Sequence, residues 1–364
     1  MAESSMRDFF RKLMMIVAVV LGLLFIYQIR NIFVYLIIAV LLAYLAHPPV
    51  TWLRCHKVPR GLAIMLVFLA LFLFGGLLVG LTAPIIYNEA TQLVSELPKA
   101  LDGLETRLNA TFQTYFPENG QQFAFQEYLY QFVDNVRANL PQALQRSYVF
   151  VSRTIGGTIT FVLGLVLIPL MGFYFLIDAE KFKRAFKLLF PRTYNERIET
   201  TIWQMNLMLG RYVRGQLTLS LIMGTLVAIG LSVLGVKYAL LLGIISGIAE
   251  LIPMAGPIIG FVPAGLLALA MGPWKLVFVI IYYALLHLFE NNFLVPRVMG
   301  KNMDLHPLTV IVAMMIGAQV FGLVGVLIAL PATAAAKIAL NVLVYRREEF
   351  GLPARSPAAC EPGD

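Results

Sequence analysis

Two glutamates, Glu250 and Glu290, stand in strongly apolar sequence where a carboxyl group has no ordinary structural use. A charge carried to the centre of a bilayer costs at least about 2.5 kcal/mol, so such a residue marks function by default. Tyr283, His287, Glu290 and Asn291 share one helical face through their i+4 and i+3 relations, and Asn292 adjoins them. A stripe of this kind can line a water-filled path, bind a cation or relay protons. Desolvation favours the neutral acid and a bound cation favours the carboxylate, so proton and cation compete for such a group. The plainer reading is a set of interhelical hydrogen bonds that lock the bundle.

Glu250 opens a second unusual feature, Glu250-Leu251-Ile252-Pro253-Met254-Ala255-Gly256-Pro257-Ile258-Ile259-Gly260. Pro253 and Pro257 lack an N–H, and Gly256 and Gly260 permit tight turns, so this stretch is expected to be unwound backbone near the membrane midplane. The apolar run of 307–345 is interrupted in the same manner, with Gly317, Gly322, Gly325 and Pro331 as its hinge or break residues. Non-helical backbone at membrane depth survives only where protein buries it or water lines it. Paired Gly/Pro-interrupted segments point to a transporter's binding region, while kinked helices packed through glycine are the alternative.

The elements that must hold these groups are membrane helices. Of 364 residues 59% are hydrophobic and only 13% are charged, about half the charged share of a soluble chain. That balance excludes a soluble enzyme, a nucleic-acid-binding domain and a disordered chain, and predicts an all-α polytopic helical membrane protein. The net charge of +8 reflects bases flanking apolar runs, not a nucleic-acid patch. Cys55 and Cys360 are too far apart in sequence to suggest a disulfide framework or a thiolate metal site.

About eight hydrophobic segments are expected. Residues 1–86 hold three transmembrane helices (Leu13–Gln28, read as uncleaved, then Ile32–Ala46 and Leu62–Ile86), with 47–60 as a basic loop. Residues 87–150 carry seven acids against four bases and two stretches of helical apolar period, predicting an extracytoplasmic amphipathic hairpin. Residues 151–177 are the fourth span. Residues 178–214 hold eight bases against four acids, with Phe182, Phe186, Leu189 and Phe190 as an apolar stripe, the pattern of basic helices on the cytoplasmic leaflet. Residues 215–345 form a transport core with broken hairpins at 239–272 and 307–345, each re-entrant or a pair of short spans. Residues 346–364 are read as a disordered cytoplasmic tail.

The base excess in 47–60, 178–214 and near the C-terminus places both termini in the cytoplasm. Eleven residues of helix from Ala239 put Glu250 about 16 Å deep, and the next span puts Glu290 about 22 Å from the outer edge. No His-Glu-x-x-His, Walker lysine loop, Gly-x-Ser-x-Gly or Cys-x-x-Cys motif occurs, so neither an enzyme, a metal site nor a cofactor is expected.

Several short motifs follow one another in a recognisable order. They are Leu41-Leu42-Ala43-Tyr44-Leu45-Ala46-His47-Pro48-Pro49-Val50, Tyr212-Val213-Arg214-Gly215-Gln216, the 252–260 stretch, Glu290-Asn291-Asn292-Phe293-Leu294-Val295-Pro296-Arg297, His306-Pro307-Leu308, Gly322-Leu323-Val324-Gly325 and Ala329-Leu330-Pro331. In this order the chain resembles the autoinducer-2 exporter family of bacterial membrane transporters from its second span to Lys337. The resemblance implies about eight hydrophobic segments, an amphipathic insert and residence in the bacterial inner membrane. It also implies transport, within a family linked both to export of a small quorum-sensing furanone and to sodium(lithium)/proton antiport.

The expected function is secondary transport or export of a small polar solute or signal molecule, with coupling to a proton or sodium gradient. The alternatives are a passive oligomeric pore, which leaves homo-oligomer formation open, and a sodium(lithium)/proton antiporter. The partners expected are the lipid bilayer and a small solute or monovalent cation, without nucleic acid.

Overall fold

The computed structural model describes the continuous runs 30–115, 158–253, 255–299 and 305–343. All regular structure in them is helical, and five helices are long and apolar enough to cross a membrane, so the protein is an all-α polytopic membrane protein. The tail at 346–364 and, but for isolated positions, the expected first span at 13–28 and the second helix of the insert lie outside the described residues.

Helix α1 (Arg30–Cys55) runs nine residues past the expected end of the second span, through Pro48 and Pro49. The segment after Ala46 is therefore helix as far as Cys55, not loop. Each proline removes one helical donor, but the helix is held by its buried stripe Ala39, Ala43, Ala46 and Val50. Ala43, Ala46 and Val50 pack on Ala63, Ile64, Val67 and Phe68 of α2 (Arg60–Tyr115) and on Leu176 of α3 (Thr158–Ile177). Helix α2 joins the third span to the first helix of the insert without a break. Its 56 residues span about 84 Å, far more than a bilayer's thickness, so one end must project beyond the membrane.

After α3 comes α4 (Ala179–Leu188), which has no buried residue and exposes Phe182, Phe186 and Leu188. Helix α5 (Asn195–Val233) then absorbs both the end of the basic segment and the expected fifth span in 39 continuous residues. Gly243 and Gly247 of α6 (Ala239–Ala249) lie directly on Gly224 of α5. A Cβ on Gly243 would meet the Gly224 carbonyl oxygen at 2.7 Å, so only glycine allows this crossing.

Helix α6 has 11 residues, about 16 Å, too short to cross a 30 Å core by itself. The chain then reverses into α7 (Gly256–Met271), whose Gly260 returns against Ser246 of α6. The first broken segment is a helical hairpin. Its tip is shorter than expected: the backbone leaves the helix only between Glu250 and Gly256, and Gly256, Pro257 and Gly260 belong to the start of α7. Pro257 sits in a first turn, where its missing N–H removes no helical bond. Gly256 and Gly260 act instead by close approach, since a Cβ on Gly256 would lie 2.7 Å from the Ala249 carbonyl oxygen.

Helix α8 (Pro273–Phe289) widens into a π-helical turn (Glu290–Leu294) and ends in the short α9 (Val295–Val298). The last segment, α10 (Pro307–Leu343), is parted at Gly322, whose φ of 61° and ψ of −140° lie outside any helix. Gly317 and Gly325 touch across this bend, so α10 also folds back as a hairpin, with Pro331 inside its second arm. The second arm packs Ala334, Ala335 and Ile338 on Met208 of α5.

Candidate functional site

The tip of the first hairpin and the π turn meet beside α5. Glu250 closes α6 at its C-terminal cap, and Glu290 is the first residue of the π turn. Each is only 5% exposed, and the two carboxyl groups lie within interacting distance of each other. Residues 40 positions apart thus share one small volume. A π turn inserts one residue into a helical ladder and is frequent at functional sites.

Hydrogen bonds fix the frame. Gln216 of α5 donates through Nε2 to the Glu250 carbonyl, and Ser220 donates through Oγ to the Gly247 carbonyl. Tyr283 of α8 donates its hydroxyl to the Gly260 carbonyl at 3.2 Å and stands 3.3 Å from Ser246 Oγ. One phenol therefore ties both arms of the hairpin to the neighbouring helix.

His287 is joined to Glu290 through Nδ1 at 3.2 Å and to Asn291 Nδ2 at 3.0 Å through Nε2. An amide nitrogen only donates, so Nε2 accepts and the neutral ring carries its proton on Nδ1, pointing at the carboxylate. The sequence-predicted stripe Tyr283, His287, Glu290 and Asn291 is thus assembled. Asn292 is not part of it, because its amide donates to the Leu288 carbonyl of its own helix at 2.8 Å. Of the hairpin residues, Gly256 and Pro257 line a cavity together with Glu250, Ser246, Tyr283 and His287. The cavity has the room of about one water. Gly317, Gly322, Gly325 and Pro331 lie in the other hairpin, which packs on α5 and α1.

Sequence reasoning missed Gln216, Ser220 and Ser246. Gln216 and Ser220 lie four residues apart on one face of α5, the available signal, but their partners are backbone carbonyls that only the fold brings near. No described lysine or arginine forms an ion pair with either carboxyl, and His287 is the one basic group in contact. Among the described residues no set of three His, Cys, Asp or Glu side chains is placed to hold a metal ion. Two carboxylates side by side in apolar surroundings repel each other, and a shared proton or a small cation relieves that repulsion.

The model of the AI-2E family transporter matches residues 13–345. The chain belongs to this family. Its relatives include two Bacillus subtilis (strain 168) proteins named for transport. YrrI is 29% identical over 88% of this chain and 89% of its own length, and YueF is 32% identical over 86% and 84%. A protein of Halobacillus andaensis named sodium-lithium/proton antiporter is 24% identical over 85% of this chain and 90% of its own length. This member of the family is a multi-pass bacterial membrane protein of a transporter family; Glu290 opens one of the motifs that carry the resemblance, and Glu250 stands two residues before another.

Proposed function

We propose that the protein is a secondary transporter in which the Glu250–Glu290 pair alternately holds a proton and a small monovalent cation, coupling that exchange to export of a small polar solute. The observation that carries this reading is the meeting of two buried carboxyl groups from separate elements at a helix break, with no lysine or arginine partner among the described residues. A fixed counter-ion would lock both charges; its absence leaves the pair free to exchange ligands. The one-water size of the cavity suits a dehydrated cation or a hydronium better than an organic solute. Sodium or lithium is favoured as the cation by the name of the Halobacillus relative. The His287–Asn291 chain, half exposed at His287, gives a proton a route to Glu290. Residence in the inner membrane with both termini cytoplasmic fits the distribution of bases.

The test is exchange in proteoliposomes carrying a pH dye, with sodium or lithium pulses. Wild-type protein is expected to move protons against the cation. Glu290→Gln and Glu250→Gln keep the side-chain shape and one acceptor but cannot titrate, so both should abolish exchange at unchanged membrane levels. Gradient dissipation without exchange, unaltered in both variants, would establish a passive pore instead.

A further inference from the structure

A second cluster of charge lies where the end of α1, the start of α2, the end of α3 and the middle of α5 converge. Tyr44 of α1 donates its hydroxyl to Asn206 Oδ1 of α5 at 2.6 Å, fixing the two helices against each other. On the same side of α5, Arg214 folds back along its helix so that its Nη1 lies 3.1 Å from where a Cβ on Gly210 would stand. Arg60 reaches across to the Leu176 carbonyl at the end of α3. Arg54, Arg60 and Arg214 all lie within electrostatic reach of the His47 ring of α1.

The acids close by in the fold are already engaged. Asp178 pairs with Lys181 at 2.8 Å, and Glu199 pairs with Lys187 at 2.7 Å and Lys183 at 3.4 Å. Among the described residues no carboxylate lies within ion-pair distance of Arg54, Arg60 or Arg214, although all three are half-buried. The N-terminus of α2 at Arg60 adds its positive dipole end to the same place. Partly desolvated guanidinium groups without an anion are costly, and their planar donor forks match phosphate oxygens.

Depth decides which phosphate. Arg60 touches the last turn of α3, and α4 begins two residues after α3 ends. Helix α4 exposes Phe182 and Phe186 beside Lys181 and Arg184, as a helix in the bilayer–water boundary does. Trp52, 64% exposed on the last turns of α1, is an aromatic of the same boundary. The arginines therefore stand at headgroup level.

We propose that Arg54, Arg60 and Arg214 form a binding site for the phosphate headgroup of an anionic phospholipid. The lipid phosphate completes the charge balance where α1, α2, α3 and α5 meet, while its acyl chains lie along the exposed apolar flank of α4.

The experiment compares the protein in nanodiscs of phosphatidylcholine alone and with phosphatidylglycerol, reading the melting temperature and the phosphatidylglycerol retained in native mass spectrometry. Wild type is expected to melt higher with phosphatidylglycerol and to retain it. Arg54→Gln with Arg214→Gln should weaken retention about 5-fold for each arginine and lose the melting shift, while melting in phosphatidylcholine stays unchanged. Arg54→Lys with Arg214→Lys should recover retention only in part, since the fork is lost. Should the glutamine pair fail to fold, the lysine pair supplies the same comparison. Retention unaffected by either pair would overturn the site. So would an equal loss in Lys181→Gln with Arg184→Gln, which would leave only diffuse surface charge. Inorganic phosphate reproducing the shift in phosphatidylcholine discs would reassign the site to a soluble phosphate.

Discussion

The carboxylate of Glu89, far up α2, accepts a hydrogen bond from the backbone N–H of Leu241 at 3.0 Å. Leu241 is in the first turn of α6, whose own N-cap residue, Tyr238, sits at φ 60° and offers no side-chain cap. A helix of 11 residues that ends at Glu250 is therefore capped from another helix, 152 positions away in sequence. Removal of a cap costs about 1 kcal/mol. Glu89→Ala should lower the melting temperature in detergent, and Glu89→Gln should recover part of the loss. Identical melting of all three proteins would show that the cap contributes nothing.

The Tyr283 hydroxyl bonds both arms of the first hairpin. Tyr283→Phe leaves the buried Gly260 carbonyl and Ser246 hydroxyl short of a partner, at a cost of about 1–3 kcal/mol. Ser246→Ala should cost less, and the double variant should cost less than the sum, because the two share one bond. Strict additivity in thermal melts would contradict the shared network.

Two glycines should fail differently. Gly243→Ala places a Cβ 2.7 Å from the Gly224 carbonyl oxygen and must force α5 and α6 apart, costing about 1–3 kcal/mol or more. Gly322→Ala meets no atom within 4 Å; its cost is the backbone, since φ 61° with ψ −140° is a conformation adopted readily only by glycine, for about 1–3 kcal/mol. Gly322→Asn should cost about as much as alanine, because asparagine relieves only the left-handed helical region and not ψ −140°, whereas Gly243→Asn should be worse than alanine. Reversal of that order in melting experiments would refute the two assignments.

Orientation can be read directly. Cysteines placed at positions 110 and 184, in a background free of Cys55 and Cys360, should label from opposite sides of the membrane. The expectation rests on the acid excess of 87–150 and the base excess of 178–214. Labelling of both positions by an impermeant reagent in intact cells would reverse the proposed topology.

The apolar composition and its helical runs determined by themselves that this chain is an all-helical membrane protein, because a bilayer permits few other ways to satisfy the backbone. The same reasoning marked Glu250 and Glu290, since a carboxyl in apolar sequence stands out without any structure. The face shared by Tyr283, His287, Glu290 and Asn291 was legible because helical period is a local property. Local signals could not show that α1 continues through Pro48 and Pro49, for there the lost donors are outweighed by burial against α2 and α3. Nor could they place Gly256 and Gly260 in a helix rather than at a tip, since a glycine chosen for close approach and one chosen for a turn look alike in sequence. Only the tertiary structure brought the two carboxyls together, with Gln216 and Ser220 holding the backbone around them and Ser246 meeting Tyr283. That juxtaposition depends on a hairpin reversing at Glu250, a π turn opening at Glu290 and a glycine crossing that lets α6 lie against α5, and contacts between elements distant in sequence decide all three.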